Sequence, residues 1–405
     1  MFSRSFLALL ALGAALPAAA QNAPAAAPAP VLPPATAPAP LPPPVAADWS
    51  RKDGEALLAY IEGIGAEGLD PADYQPDALR DAIEAKGDAL DAVATSTFLK
   101  LAGDLMFGHV RGDDRIDWHV RDDGWNVYDQ QALVDRAVKG KVAETLNSLM
   151  PTHPQYAALK ALLADPATDS KTRDRIRINL DRWRWLPRDL GSKYVIVNVP
   201  AYTVALVENG QTLNRRRAVA GAIKTPTPQL SAVITGAIFN PWWEVPSSIA
   251  PEVRGKKGYV AVKDESGRVV RWRQPPGPSN ALGRVKLVMG NPHAIYLHDT
   301  NAKNLFNRQA RAFSHGCIRT EDAVGFAETL LEGTEWNRAK IDQTLATGKA
   351  TQANLAAPVP VYIVYFTVAA TSDGPPMTYA DMYGRDGKVL AALSDRGGTA
   401  LASGK

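Results

Sequence analysis

The spacing of apolar residues divides the chain into two halves. From residue 48 to about residue 120, apolar side chains recur about every three or four positions, and GEALLAYIEGIG places Leu57 and Ile61 on one helical face. The same period returns at 129–148 and 169–185. The first half of the chain is therefore predicted to be an α-helical bundle.

Beyond residue 190 the apolar period falls to two, which is the period of β-strands. KYVIVNV and YTVALVENGQTLNRRRAVAG alternate in this way, and Asn209-Gly210 predicts a hairpin turn inside the second segment. QLSAVITGAIFN and AIYLH continue the pattern, and segments 359–368 and 378–391 are predicted to be closing strands. The second half is therefore predicted to be rich in β-structure.

A long segment at 241–284 interrupts the strand series. It is rich in proline, glycine, tryptophan and charged residues, and it does not continue the alternation. Segments of this length inside a compact domain are usually functional covers or disordered loops. Its tryptophans favour an ordered cover over the surface.

The two ends of the sequence differ in composition from the rest. Residues 1–20 resemble a secretory signal peptide, because Arg4 precedes a short apolar run that ends in small alanines. Residues 21–47 are almost wholly alanine and proline, which predicts an extended spacer. Residues 391–405 are expected to form a flexible tail. We therefore expect an exported protein.

Charge and composition are unremarkable, but cysteine usage is not. The formal net charge is +3 at pH 7, which gives no signature of nucleic-acid binding. The 405 residues contain one cysteine, Cys317. Exported proteins usually pair their cysteines in disulfides, and this thiol has no partner within the chain. The unpaired thiol needs either a packing explanation or a chemical one.

The residues around Cys317 could activate its thiol. It lies in AFSHGCIRTED, where Thr320 is predicted to be the N-cap of a following helix whose positive end would favour a thiolate. Gly316 permits close approach of a substrate, and its amide is a candidate oxyanion donor. The alternative is a buried structural cysteine, which is the commoner use of a lone thiol.

Two histidines, His315 and His298, are candidates for the base. His298 is preferred because it ends a predicted strand and can face the turn, and Asp299 or a backbone carbonyl would orient its ring. A zinc site is a further alternative, since His and Cys ligate zinc. One thiol and two histidines without short spacing disfavour it, and we expect no metal.

Several motifs together resemble one family. YLHDT followed by SHGCIR is similar to the signature of the L,D-transpeptidases, whose catalytic domain is of the YkuD type. RWRWLP, NVPAYTVALVENG, NPWWEVPSSIAPE, RQPPGPSNALGRVK, VPVYIVYFT and MYGRDGK resemble the branch of this family that carries a scaffold domain. The resemblance extends over about residues 180 to 390.

This resemblance implies an α+β chain of several domains. A helical scaffold domain would occupy 48–150 and a helical connector 151–190. The β-rich catalytic domain would follow at 191–390, with 241–284 as its capping subdomain. The resemblance departs in one respect: residues 150–180 are too few for the separate peptidoglycan-binding domain of larger relatives.

The implied activity is cross-linking of peptidoglycan without a cofactor. Cys317 would attack the third-residue carbonyl of a tetrapeptide stem and release D-Ala. A diaminopimelate amine of a second stem would then resolve the thioester, which gives a 3–3 cross-link. The implied partners are donor and acceptor stems, with other cell-wall synthesis proteins as further candidates, and the cysteine would be a carbapenem target.

The resemblance also implies residue roles. Cys317 would be the nucleophile and His298 the general base, and Tyr296 would join the amides of Gly316 and Cys317 as an oxyanion candidate. Arg319 stands where many relatives have asparagine. The remaining residues expected to shape the turn or meet the substrate are Ser314, His315, Asp299 and Trp243.

Two other activities remain open at the level of sequence. An L,D-carboxypeptidase or a lipoprotein-anchoring acyltransferase would use the same thioester and differ only in the acceptor. A non-catalytic wall-binding scaffold belongs to another class, and the presence of both Cys317 and His298 argues against it.

Overall fold

The computed structural model describes residues 47–120, 127–371 and 374–395. The expected signal peptide lies outside these residues, as does the expected linker except for Ala47. Among the described helices, none is both long and apolar enough to cross a membrane.

The N-terminal half is helical, as the apolar period predicts. Ser50 begins the first helix, and its side chain accepts a hydrogen bond from the amide of Asp53. Short 3₁₀ segments at Ile64–Glu67 and Pro71–Tyr74 connect the first two helices, where glycine and proline interrupt the pattern. The helices are Arg51–Glu62 (α1), Pro76–Ala85 (α2), Asp88–Phe107 (α3), Val127–Arg136 (α4), Val142–Asn147 (α5), Pro154–Ala164 (α6) and Ser170–Arg184 (α7).

These helices pack around their own apolar core. Leu57 and Ile61 of α1, Phe98 and Leu101 of α3, and Leu146 of α5 are all fully buried in one cluster. Burial of such side chains stabilises a fold by about 1.5–3 kcal/mol each. The face that the sequence pattern marked as apolar is therefore the face that forms the core.

The C-terminal half contains a ten-stranded sheet. Asn209 and Gly210 both have positive φ, at 49° and 77°, and form the predicted hairpin turn. The main strands are Trp118–His119 (β1), Lys193–Asn198 (β2), Thr203–Glu208 (β3), Gln211–Gly221 (β4), Gln229–Phe239 (β5), Val285–Met289 (β9), Leu297–His298 (β10), Ala312–Ser314 (β11), Ile318–Thr320 (β12) and Thr351–Val364 (β13); Trp243–Val245 (β6), Val260–Lys263 (β7) and Val269–Gln274 (β8) form a separate sheet.

The main sheet closes on itself. Its strands follow the order β5-β13-β2-β3-β4-β12-β10-β9, and β9 pairs again with β5. The inward-facing side chains of these strands meet in one core. This core includes the fully buried Val195, Leu206, Ile234 and Val361. Closure removes most free strand edges and fixes the register of the short strands β10 and β12.

Three helices accompany this sheet, Ala250–Val253 (α8), Ala323–Leu330 (α9) and Arg338–Ala346 (α10). α9 and α10 cover the core with Phe326, Ala327 and Ile341. The segment 241–284 carries β6, β7, β8 and α8, so the expected cover is ordered. Its own small core contains Val245 and Val253.

The end of the chain differs from expectation. A hairpin of Val368–Thr371 (β14) and Gly374–Thr378 (β15) is followed by the helix Asp386–Ala392 (α11), so 378–391 is not a closing strand. In the described part of the expected tail, Leu393 is buried against the fold. Apolar alternation predicts a strand here, but Gly384 interrupts the segment and the residues after it favour a helix.

The helical and β-rich halves contact each other directly. β1 pairs in parallel with β5, so a strand from the helical half joins the main sheet. Arg182 of α7 is buried and its guanidinium donates to Asp386 of α11 at 2.7 Å. The segment expected as a connector is thus part of the packed structure.

Candidate active site

Cys317 lies on a tight turn between β11 and β12. Both strands pair with β4, which holds the two ends of the turn side by side. Gly316 has φ of 112°, a conformation that side chains disfavour, and a Cβ there would lie 3.2 Å from Cδ1 of Ile295. Glycine is therefore required immediately before the thiol.

Two hydroxyl groups hold this turn. Ser314 Oγ donates to the carbonyl of Cys317 at 2.6 Å and accepts from the amide of Gly316 at 3.1 Å. Thr227 Oγ1 donates to the carbonyl of Gly316 at 2.7 Å and accepts from the amide of Gly221 at 2.9 Å. The Gly316 amide is thus already used, which contradicts its expected role as an oxyanion donor. Within the described chain the Cys317 amide makes no hydrogen bond and stays available.

Thr227 belongs to a polar network that the sequence gave no reason to expect. Its amide donates to the hydroxyl of Tyr383, which in turn donates to the carbonyl of Gly221 at 2.6 Å. Arg385 lies beside the same tyrosine ring, 5.0 Å from its centroid. The C-terminal segment therefore braces the nucleophile turn from behind, over a separation of more than sixty residues that no local pattern reveals.

The expected helix end at Cys317 is absent. Thr320 lies in β12, and α9 begins only after Asp322, whose side chain accepts from the Gly325 amide at 3.2 Å. Pairing of β12 with β4 and β10 prevents a helix from starting at Thr320. The strand separates the thiol from the helix, so the helix dipole gives the thiolate little support, since that effect fades within one turn.

The Cys317 side chain is partly exposed and its sulfur contacts the backbone before β10 only weakly. Its thiol donates to the carbonyl of Ala294 at 3.6 Å. Burial raises the pKa of the Cys317 thiol, while the backbone amide of Tyr296 and the charges of Lys286 and Arg319 act in the opposite direction. The net shift is upward, so the resting group is a thiol and needs a base.

His298 is the base that the structure offers. It ends β10, is buried, and its Nδ1 donates to the backbone carbonyl of Asp299. That bond leaves Nε2 with its lone pair. Burial, reinforced by the positive charges of Arg319 and Lys286, lowers the pKa of His298 to about 4. The ring is therefore neutral at ordinary pH.

Of the two orienting groups considered for His298, the structure selects the carbonyl. The carboxylate of Asp299 is turned away, where it pairs with Lys303 and accepts from the Arg284 amide at 2.9 Å. Gly283 is the close neighbour that makes this possible, because a Cβ there would lie 2.4 Å from the carboxylate. Asp299 braces the loop after His298 and is not placed to meet a substrate.

Strand register brings three cationic or titratable side chains into one row. His298 pairs with Lys286 of β9 on one side and with Arg319 of β12 on the other. Paired residues of adjacent strands project to the same face of a sheet. Leu297 and Ile318, one position away, are fully buried in the core behind. The face that carries Cys317 is thus lined by Lys286, His298 and Arg319.

Lys286 is the site residue that sequence reasoning missed. Its ammonium lies 3.7 Å from the centroid of the Tyr296 ring. A signal was present, because Lys286 stands between the buried Val285 and Leu287 in a strand of strict alternation. Alternation alone does not single it out, because a lone lysine on the outward face of a strand is most often simply exposed to solvent.

The remaining expected residues contact the cover or the backbone. Tyr296 meets the nucleophile segment through its carbonyl, which accepts from the Ile318 amide at 2.9 Å. His315 is exposed and its Nε2 lies 3.2 Å from Glu252 of α8. Trp243 packs with the core of the cover, its ring centroid 6.1 Å from that of Tyr259. His315 therefore joins the turn to the cover, and Trp243 is a packing residue.

No cluster of three or more potential metal-ligating side chains was found among residues that the structure describes. A cavity of about 620 Å³ lies in the helical half, between the α1–α2 connection and α7, and none of its lining residues belongs to this site. The arrangement at Cys317 is a thiol, a neutral imidazole and two cations on one face, which is a set suited to acyl transfer.

Family comparison agrees with fold and site. Residues 192–354 match the L,D-transpeptidase catalytic domain, also called YkuD, and residues 47–163 match the Scaffold domain. Successive parts of the chain thus resemble a Scaffold domain and an L,D-transpeptidase catalytic domain, in the order that its motifs predicted.

Individual relatives are more distant. A Haemophilus influenzae protein, named only as a candidate L,D-transpeptidase, is 29% identical over 250 residues, which are 55% of this chain and 50% of that protein. This chain thus spans half the length of that curated relative.

Solved structures of L,D-transpeptidases are more distant still in sequence. The Mycobacterium smegmatis enzyme is 13% identical, with coverage of 43% of this chain and 58% of that chain and a TM-score of 0.23. L,D-transpeptidase 3 from Mycobacterium tuberculosis is 12% identical, with coverage of 43% and 61% and a TM-score of 0.24. The domain assignment rests on the matched segments and not on these scores.

Proposed function

We propose that this protein is a peptidoglycan L,D-transpeptidase that joins two peptide stems through a thioester on Cys317. One observation carries the proposal: a reachable thiol on a glycine-containing turn shares a sheet face with a neutral His298 whose Nδ1 is held by a carbonyl. A thiol and an oriented neutral imidazole are the minimal set for cysteine acyl transfer. The family of the catalytic domain narrows the reaction to stem peptides.

In the first half-reaction, Cys317 attacks the carbonyl of the third residue of a tetrapeptide stem. The thiol proton passes to Nε2 of His298, and the Cys317 amide donates to the oxygen that becomes negative. The bond to the terminal D-Ala then breaks. His298 returns its proton to the leaving amine, so D-Ala departs as the free amino acid and the stem remains as a thioester.

In the second half-reaction, the side-chain amine of diaminopimelate on another stem attacks the thioester. His298 accepts a proton from the attacking amine and returns it to the leaving sulfur. The product is a 3–3 cross-link, and Cys317 is again a thiol. Bond energy comes from the peptide bond that was broken, so neither ATP nor a redox partner takes part.

This chemistry fits a site of action outside the cytoplasm. We propose that residues 1–20 direct export to the periplasm and that the alanine- and proline-rich residues 21–47 act as a tether. Donor and acceptor stems of the wall are the proposed partners. Water or a lipoprotein lysine as acceptor would give the carboxypeptidase or the anchoring activity instead.

Reaction with a carbapenem tests the proposed nucleophile without knowledge of the acceptor. Folded wild-type protein incubated with a carbapenem is expected to gain the mass of one drug molecule, because Cys317 opens the β-lactam ring and retains it as a thioester. Intact-protein mass spectrometry measures the gain.

The Cys317→Ala variant is the matched control and is expected to show no gain in mass. Absence of an adduct on folded wild-type protein would contradict a reactive Cys317 and would favour a wall-binding scaffold. An adduct on the alanine variant would place the nucleophile elsewhere.

A further inference from the structure

Two positive side chains flank the base beside the nucleophile. Lys286 and Arg319 are the cross-strand partners of His298 on its two sides. Arg319 also lies two residues after Cys317, and two residues on extended backbone span about 6.6 Å. A period of two places both Arg319 and Cys317 on the same face of the sheet. His298, the proposed base for the Cys317 thiol, therefore has a cation on each side of it.

Neither cation has an acidic partner in contact. The Arg319 side chain forms no hydrogen bond or ion pair with any described residue, and its buried Nε is unsatisfied. Lys286 has no ion pair with a described residue, and its ammonium lies over the Tyr296 ring. Glu244 is the described carboxylate whose charge acts on Lys286, and Arg271 lies 3.5 Å from that carboxylate.

Partly buried, unpaired cations are unfavourable unless something compensates for the lost hydration. The two charges at this site also lower the basicity of His298. Packing alone therefore gives no reason to have both cations here. A planar guanidinium and an ammonium facing the same space are a common arrangement for binding a carboxylate. Their proximity to Cys317 requires that carboxylate to lie next to the carbonyl under attack.

Peptide geometry identifies which carboxylate fits. When the scissile bond is the last bond of a peptide, the terminal carboxylate carbon lies roughly 3–4 Å from the scissile carbonyl carbon. Each further residue moves the terminal charge up to about 3.5 Å away along the chain. An anion site this close to the thiol therefore matches the residue that leaves.

We propose that Lys286 and Arg319 bind the C-terminal carboxylate of the donor peptide, the carboxylate of the residue released when Cys317 is acylated. This assignment deepens the proposed function and rests on it for the identity of the donor. The two cations hold the leaving residue while its amide bond is broken, and they discriminate against donors whose terminal carboxyl group is amidated.

Alkylation of the single cysteine tests the anion site without any transpeptidase substrate. Iodoacetate and iodoacetamide react with the same thiolate and differ in charge. The rate ratio of iodoacetate to iodoacetamide at Cys317 is expected to exceed that of a small free thiol by about 5- to 10-fold, because the cations attract the charged reagent. The ratio cancels any change in the fraction of thiolate.

Lys286→Met and Arg319→Met are each expected to lower this ratio by about threefold or more. Lys349→Met removes a charge from an exposed lysine that has no ion pair in the described structure, and is expected to leave the ratio unchanged. Arg319→Lys keeps the positive charge and is expected to retain most of the rate ratio. It thereby controls for a loss that comes from misfolding of the Arg319→Met variant. A wild-type ratio no higher than that of the small thiol would overturn the proposal, as would insensitivity to both methionine variants.

Two donors extend the test to the reaction. A tetrapeptide stem ending in free D-Ala is expected to have a kcat/KM about 10- to 100-fold above the same stem ending in D-Ala amide, the range of one or two hydrogen bonds to a charged group. Lys286→Met and Arg319→Met should each lower the acid-to-amide ratio of kcat/KM, because any effect of the lost charge on Cys317 or His298 acts on both donors and cancels in the ratio.

The two failures are distinguishable. If wild-type protein forms a thioester with neither donor, the proposed function is wrong, whereas the alkylation ratio still reports on an anion site. If both donors react equally well, the transpeptidase function stands and the carboxylate site is wrong.

Discussion

Replacement of Cys317 by alanine is expected to lower the rate of D-Ala release from a tetrapeptide stem by on the order of 10⁶-fold, to the background level. No other thiol can carry the thioester, because the chain contains one cysteine. Chromatographic measurement of free D-Ala and of cross-linked dimers gives the rate.

The loss should not reflect unfolding. The Cys317 side chain is small and partly exposed, so its truncation is expected to cost no more than about 1 kcal/mol of the free energy of unfolding. A thermal melt close to that of wild type checks this. Substantial D-Ala release by the folded alanine variant would contradict the assignment of the nucleophile.

Replacement of His298 by glutamine is expected to lower kcat/KM by about 10²- to 10⁴-fold, the contribution of a general acid–base group. Glutamine keeps a polar amide at this position and has no basic nitrogen, so the proton acceptor is lost. His153→Gln is the matched control: His153 lies at the start of α6 in the helical half, where its ring stacks on Trp183 at 4.2 Å. The kcat/KM of this variant is expected to stay within about twofold of wild type, since the side chain of His153 caps α6 and its loss affects only local stability.

The pH dependence of kcat/KM is expected to differ between wild type and His298→Gln. The pKa of His298 is lowered to about 4, so the base is neutral above that pH, and activity is lost only as pH falls through 4. Wild-type kcat/KM should therefore be level between about pH 5 and 8. In His298→Gln the acid limb near pH 4 should disappear, and activity should rise about tenfold per pH unit as the Cys317 thiolate forms. A sloping wild-type profile over the same range would contradict a neutral imidazole base.

Much of the β-rich half follows from local sequence. The hairpin at Asn209-Gly210 is predicted because both positions need positive φ, and the structure has it there. The strands that flank it, β3 and β4, form where the sequence predicts them, although β3 buries four consecutive residues and β4 buries its last four. Closure of the sheet could not be predicted, because the pairing of β9 with both β10 and β5 depends on residues far apart in the chain.

The errors have a common physical origin. Thr320, Glu321 and Asp322 have the composition of a helix start, but Thr320 pairs with Ala218 of β4, and the helix begins later. Tertiary pairing overrode a correct local preference. The alternation in 378–391 failed in the opposite direction, since a short helix formed where no strand partner was available to that segment in the described sheet.

The active site was predictable only in part. Cys317 and His298 follow from residue type and motif. In the structure Cys317 directly precedes β12, which pairs with the strand β10 that ends at His298. The occupied amide of Gly316, the support of the turn by Thr227 and the cation Lys286 depend on strand register and on contacts between distant segments. Such contacts have no signature within a short stretch of sequence.

The most direct test of the central claim is detection of the acyl-enzyme. Wild-type protein mixed with a disaccharide-tetrapeptide donor, quenched and measured by intact-protein mass spectrometry, should gain the mass of the donor minus one D-Ala. Addition of a second stem should discharge this species into a cross-linked dimer, and Cys317→Ala should show neither. Formation of the dimer with no acyl species on Cys317, and at the same rate in the alanine variant, would contradict the account.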